Sequence, residues 1–488
     1  MKILLDEKGI CHNTSNSLKK EVEHVNTISH SPLSIPQKAY STELQHHLFG
    51  RQLLAAEIPF SLDVLETHIE QGYVAKTFGV ELDHCIRCGN QDKQLFYTFP
   101  CAICGQLCTY CRSCIMMGRV SECTPLYTWT GPAYDFRVPK SVMNWSGTLS
   151  EGQQTASDRV KQAILHQEEL LVWAVCGAGK TEVLFAGIEA GLLAGKRICI
   201  ATPRTDVVLE LAPRLKKAFP FIEVAALYGG SDDRHKLAPL TVATTHQLFR
   251  FKEAFDAMII DEVDAFPYSM DPSLHYAVQK AKKQTAATIY LTATPSKQMK
   301  KQYRSGRLQA VTIPARYHRQ PIPVPEMKWC GNWAKQFQQK KIPHPVQAWV
   351  NERLQSQTPI LLFFPSIAVM ETARHLFQNL PAVYAEHPNR KERVQALRDG
   401  ELQGLLTTTI LERGVTIERL EVAVIGAEHE VFTESALVQI AGRVGRSFAY
   451  PTGNITFFHY GKSKAMVEAI KHITSMNEEA RKRGLLDG

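Results

Sequence analysis

Between residues 169 and 294 the chain repeats one pattern: short apolar runs, ELLVWAV, KRICIATP, DAMIIDEVD and ATIYLTAT, separated by helix-like stretches. Runs without polar alternation suit strands buried on both faces, and strands alternating with helices build a parallel sheet covered on each side. Four prolines interrupt the pattern in IPARYHRQPIPVPEM (313–327), after which it restarts with PILLFFPS, AVYA, GLLTTT, VAVIGA and NITFFH. The fold class this implies is α/β, with two tandem parallel-sheet domains at 146–318 and 325–488.

One turn adds chemistry to this frame. Ala174-Val-Cys-Gly-Ala-Gly-Lys-Thr181 follows an apolar strand and precedes a helix, the context of a phosphate-binding loop. Around Gly177, Ala178 and Gly179, backbone N–H groups can converge on phosphate oxygens, and the helix N-terminus adds a favourable dipole. Lys180 would bridge the β- and γ-phosphates of ATP, and Thr181 would ligate Mg2+. Ala174 stands where the strict pattern has glycine, and Cys176 reads as a small loop residue. MIIDEVDAF then places, at the end of another apolar strand, Asp261 to hold Mg2+ and Glu262 to orient or deprotonate the attacking water. Gln153, upstream in LSEGQQ, carries an amide able to pair with donor and acceptor edges of adenine.

The second domain has no such loop. It carries ALVQIAGRVGRS instead, with Gln439, Gly442, Arg443, Gly445 and Arg446. Their spacing predicts Arg443 and Arg446 on one helix face. Fixed charge and forked donors suit both to a γ-phosphate and the charge that develops on it.

The cysteines are uneven: of twelve, seven lie between Cys85 and Cys114, and Cys123 follows closely. The CxxC spacing of CIRCG and CAICG lets two thiolates reach one Zn2+ ion, and CTYCRSC adds three thiols. Disulfides are not expected, because no secretory signal is read at the start of the chain. Cys85 and Cys88 with Cys111 and Cys114 are assigned to one zinc. Cys101 and Cys104, with Cys108 as a further candidate, go to another that Cys123 or a histidine such as His84 could complete. Residues 81–145 are thus a small zinc-binding domain and a linker that includes TWTGPAYDFRVPKSVMNWSG. Residues 1–80 read as partly helical, in TELQHHLFGRQLLAAE and SLDVLETHIEQGYV, and partly mobile.

Composition excludes some classes. With 44% apolar and 21% charged residues the chain is not broadly disordered. No run approaches the ~20 apolar residues of a membrane span, so a cytoplasmic protein with at most peripheral membrane contact is expected. A net charge of +8 suits a polyanion among other partners.

Taken in order, Gln153, AVCGAGKT (174–181), ATPRTDVVLEL (201–211), TVATTHQLFRF (241–251), DEVD (261–264), LTATP (291–295), LLFFPS (361–366), TTTILERGVTI (407–417) and QIAGRVGR (439–446) resemble the motifs of superfamily 2 helicases and translocases. The resemblance implies two RecA-like domains with ATP between them, Arg443 and Arg446 as arginine fingers, and Gly414 and Glu412 near the same cleft. It also implies that Thr292–Thr294 couples the ATP state to domain movement. Segments at Thr202–Arg204, Thr244–Thr245 and Thr407–Thr409 would line a nucleic-acid track. Thr292-Ala-Thr and Gln439 look more like PriA-type DNA enzymes than DEAD-box RNA helicases.

With the cysteine domain ahead of these motifs, and CRSCIMMGRV and LERGVT within them, the chain resembles the ComFA competence family. That resemblance implies a membrane-associated ATPase at the inner face of the cell membrane that moves single-stranded DNA, 3′ to 5′, during uptake of transforming DNA. The partners it implies are the ComEC channel, ComFC and DprA, and a homo-oligomer is compatible with it. Two rival readings stand beside it: a PriA-like repair or replication-restart helicase, and a zinc-anchored scaffold in which ATP is only a switch.

Overall fold

The structure, a computed structural model, describes residues 39–412 and 416–487. Seven short strands come first: β1 (Gln52–Leu54), β2 (Val74–Phe78), β3 (Val80–Glu81), β4 (His84–Cys85), β5 (Phe96–Pro100), β6 (Leu107–Cys111) and β7 (Pro125–Trp129). They form the antiparallel sheet β1–β7–β2 and the two-stranded sheets β3/β4 and β5/β6.

Two local expectations fail here for physical reasons. The helix expected across TELQHHLFGRQLLAAE stops at Leu48, and the chain enters β1 instead. Gly50 has φ +69°, and a Cβ there would lie 2.8 Å from the Ala254 Cβ. A helix cannot continue through that left-handed residue, and no larger residue fits against the following domain. Trp129, expected in a linker, instead ends β7, the central strand of the sheet, and is buried with Leu44, Leu53, Leu65 and Tyr127. Its partners β1 and β2 are remote in sequence, so no local pattern announces it.

The first parallel sheet contains β8 (Glu169–Ala174), β9 (Ile198–Thr202), β10 (Val224–Leu227), β11 (Leu240–Thr244), β12 (Phe255–Asp261), β13 (Lys282–Thr292) and β14 (Gln309–Ile313). Their order is β10-β11-β9-β12-β13-β8-β14, parallel throughout. Ile259 pairs with Ile200 on one side and Ile289 on the other, all fully buried, which is why these runs carry no polar alternation. The order brings the ends of β12, β13 and β8 side by side, and with them DEVD, the Thr292–Thr294 turn and the glycine loop.

The second sheet holds β15 (Glu326–Trp329), β16 (Ile360–Phe363), β17 (Ala382–Val383), β18 (Gly404–Thr407), β19 (Glu421–Ile425) and β20 (Ile455–His459), in the order β15-β20-β19-β16-β18-β17 and again parallel. The fold is therefore two RecA-like parallel-sheet domains after a cysteine-rich region. The last helix, Lys464–Lys482, touches both. His472 meets the Trp173 ring at 5.7 Å, Asn477 bonds both backbone groups of Ile322, and just past the helix Arg483 reaches Thr312. Among the described residues no helix is long and apolar enough to cross a membrane.

Candidate nucleotide cleft and cysteine clusters

At the end of β8 the chain turns through Val175–Gly179 and enters the helix Lys180–Leu193, with Gly179 at its N-cap in a left-handed conformation. Lys180 and Thr181 therefore open the helix, where its first N–H groups have no partner within the helix. A cleft of about 750 Å³ opens above them. From the first domain it is lined by Gln153, Gly177, Ala178, Gly179, Lys180, Thr181, Asp261 and Glu262; from the second by Gln439, Arg443 and Arg446. Gly414 lies outside the described residues.

Asp261 ends β12, and its Oδ1 accepts from Glu262 N at 2.9 Å. Glu262 sits at φ +55°. A non-glycine residue in that region costs about 1–3 kcal/mol, a strain that gathers at functional turns. Gln153 is engaged locally: Oε1 accepts from Ser150 N at 2.8 Å and Nε2 donates to Ala178 O at 2.9 Å. Its amide thus caps its own helix and braces the glycine loop.

The arginines depart from expectation. The helix Glu434–Ala441 ends before them, with Gly442 as its C-cap, so Arg443 and Arg446 lie in the following turn and not on a helix face. Gly445, at φ +67°, cannot continue a helix, and a Cβ there would stand 2.2 Å from Pro451 O. Arg443 is buried and its Nε donates to Glu412 O at 2.8 Å. Arg446 Nε donates to Gly442 O at 2.9 Å. Cys176 does more than fill its loop: its thiol donates to Gln439 Oε1 at 3.0 Å, joining the phosphate loop to the second domain.

A second junction was not foreseen. Asp264, the last acid of DEVD, accepts from Thr292 and Thr294 in its own domain and from Ser435 in the other. DEVD was legible as a motif, but its fourth residue becomes informative only once Ser435 is beside it. Of the expected nucleic-acid track, Thr202, Thr244, Thr245 and Thr407 are buried, and Arg204 binds Asp206 and Ile410 O.

The cysteines gather in two sets. In each of Cys85, Cys88, Cys111, Cys114 and Cys101, Cys104, Cys108, Cys123, all sulfurs lie within 4.8 Å of one another. Tetrahedral zinc with Zn–S of about 2.3 Å requires sulfurs roughly 3.8 Å apart. The first set has 3.8 Å for Cys85–Cys114 and 3.7 Å for Cys88–Cys111. Cys123 completes the second set; His84 instead packs its ring against Tyr276. Arg87 is buried, and its Nε and Nη2 donate to Cys114 Sγ at 3.4 and 3.2 Å. Hydrogen bonds from the neighbouring thiols, with Arg87 beside them, hold the Cys114 thiol well below its ordinary value. A stabilised thiolate is the form a metal takes up.

The first set is also built into the first parallel-sheet domain. Its cysteines share an apolar cluster with Leu274 and Ala277 of the helix Pro272–Ala281. Tyr276 donates to Ile86 O at 3.0 Å, and Lys280 Nζ donates to Arg87 O at 2.9 Å.

Family models match three stretches of the chain. The ComFA N-terminal domain family matches residues 36–128, the res subunit of type III restriction enzymes 146–297, and the helicase conserved C-terminal domain 345–448. Competence protein ComFA of Bacillus subtilis (strain 168) is 50% identical over 452 residues, 91% of this chain and 97% of that protein. Competence protein ComFA of Streptococcus pneumoniae is 40% identical over 378 residues, 76% of this chain and 86% of that protein. Replication restart protein PriA of Haemophilus influenzae is 25% identical over 210 residues, 37% of this chain and 29% of that protein.

Proposed function

This chain belongs to the ComFA competence family, and on that premise we propose that it is an ATP-driven translocase of single-stranded DNA acting in the uptake of transforming DNA. Its domains are those of a superfamily 2 helicase-family ATPase, an enzyme class that uses nucleotide and Mg2+. One observation carries the proposal: the acids of the first domain and the arginines of the second face a single cleft. A reaction there depends on how the two domains sit, which is what a motor requires.

In this reading Lys180 and the loop N–H groups bind the phosphates, while Thr181 and Asp261 would hold Mg2+, which would supply positive charge to offset that of the phosphates. Glu262 orients the water and takes its proton. Arg443 and Arg446 offset the charge that grows on the γ-phosphate, and Asp264 reports the state of the cleft through Ser435. Cys85, Cys88, Cys111 and Cys114 would hold one zinc ion, and Cys101, Cys104, Cys108 and Cys123 a second. The inner membrane face, the ComEC channel, ComFC and DprA are carried as partners on family membership alone.

The PriA similarity favours a second reading, a replication-restart helicase. ATPase rates with single-stranded DNA, duplex DNA and RNA, beside transformation and repair assays of a deletion strain, separate the two. Stimulation by single-stranded DNA with loss of transformation supports the uptake motor. A repair defect with normal transformation overturns it.

A further inference from the structure

The segment joining the two parallel sheets crosses the back of the cleft at residues 315–319 and binds both of its halves. Tyr317 N donates to Gly177 O of the phosphate loop at 3.2 Å. On the other side, Arg316 Nη1 donates to Gly445 O at 2.5 Å, and the Tyr317 hydroxyl donates to Arg446 O at 3.3 Å. His318 Nδ1 accepts from Gln320 N at 3.3 Å, which leaves Nε2 as the protonated nitrogen; it donates to Gly445 O at 3.0 Å. Two side chains thus hold one carbonyl, immediately before Arg446.

Arg316 is the unusual member. It is 1% exposed, yet among the described residues its Nε and Nη2 have no hydrogen-bond partner. Its stem lies against the phosphate loop: a Cβ at Gly177 would meet the Arg316 side chain at 3.6 to 3.7 Å. Burial, with Arg446 nearby, pushes its guanidinium down to about 10. Burying a cation with unpaired donors opposes folding. An apolar residue would fill the same space without that cost, so the guanidinium needs a reason beyond packing.

We propose that Arg316 is a positioning residue for ATP hydrolysis, fixing the Gly445 carbonyl and so the backbone from which Arg446 reaches the cleft. Because the same side chain packs on Gly177, it couples the shape of the phosphate loop to the placement of that arginine. The inference rests on the reading of Arg446 as a residue that acts on the nucleotide.

The test compares steady-state ATPase, binding of a fluorescent ATP analogue and thermal melting in the full chain carrying R316A, R316K, R446A or R316A with R446A. R316A is expected to lower kcat by about tenfold or more while KM and analogue affinity stay within about twofold. R316K should recover part of the loss, because an ammonium can still donate to Gly445 O. Since Arg316 acts through Arg446, the double variant should be no slower than R446A alone. Multiplying losses in the double variant, or a raised KM at unchanged kcat, overturn the proposal. Slow turnover in R446A with wild-type turnover in R316A removes the role of Arg316 alone; wild-type turnover in R446A removes the arginine-finger reading as well. If R316A does not fold, Y317F takes its place: it removes one hydroxyl from a ring that is 47% exposed. It should lower kcat and not KM, and a wild-type kcat in both Y317F and R316K overturns the proposal.

Discussion

Ser435 donates its hydroxyl hydrogen to Asp264 Oδ2 at 2.6 Å, across the gap between the two parallel sheets. The same carboxylate accepts from Thr292 at 2.5 Å and Thr294 at 2.6 Å. One acid therefore ties the ends of β12 and β13 to the helix that leads to Arg443. Replacing Ser435 by alanine removes this link between the domains and leaves the bonds from Thr292 and Thr294 to Asp264 in place. A hydrogen bond to a charged group contributes about 1.5–3 kcal/mol, so stimulation of ATPase by single-stranded DNA should fall several-fold. Nucleotide affinity should stay near wild type. Rates with and without DNA, beside equilibrium nucleotide binding, check this.

Glu262 and Lys180 should fail differently. Glu262→Gln keeps the shape of the side chain and removes the base. Hydrolysis should fall by about 10²–10⁴-fold with ATP binding retained. Lys180→Ala removes a phosphate contact and should weaken binding itself. Single-turnover hydrolysis and filter binding of labelled ATP distinguish the two, and equal loss of binding in both would contradict the assignment.

The two cysteine sets should differ in what they support. Replacing Cys85 and Cys88 with serine should release one zinc and lower the melting temperature by on the order of 5 °C, because their set packs on Leu274 and Ala277 of the first domain. Replacing Cys101 and Cys104 should release the other zinc with little change in melting, since neither belongs to the apolar cluster that joins the first set to the first domain. Metal analysis and thermal melts of both variants test this, and unchanged zinc content would remove the corresponding site.

The N-terminal module should be acid-sensitive. Burial, with Arg51, His235 and His46 nearby, lowers the His47 imidazole from its ordinary 6.5 to about 4, against a backbone hydrogen bond to Glu57 O that raises it. The unfolded chain takes up a proton near pH 6.5 that the folded chain refuses until about 4. The stabilisation is thus complete above 6.5 and is lost as pH falls through that window, by at most about 1.4 kcal/mol per pH unit. His47→Asn should flatten this part of the profile, which melts between pH 7 and 4.5 can follow.

Much of this was legible in sequence because it is local. β8, β9, β12 and β13 announce themselves as apolar runs, and the loop ending in Lys180 and Thr181 needs only its flanking strand and helix. What escaped depends on partners far away in the chain. Pro125–Trp129 is a strand because β1 and β2 lie beside it. Arg443 and Arg446 leave the helix because Gly445 turns back against Pro451. Arg316 looked like part of a proline-rich break, and it gains meaning from Gly177 and Gly445, which no periodicity connects to it. Cys123 could be proposed for the second set but not chosen over His84 until the sulfurs were placed.

Tyr276 and Lys280 fasten the cysteine-rich region to the first RecA-like domain through hydrogen bonds to its backbone, and the buried cysteines add apolar packing. Such a region is no tethered accessory swinging on a leash. On the proposed reading of the chain as a motor, anything that grips this region holds the first domain as a stator, and the stroke falls to the second domain, the one that carries the arginines.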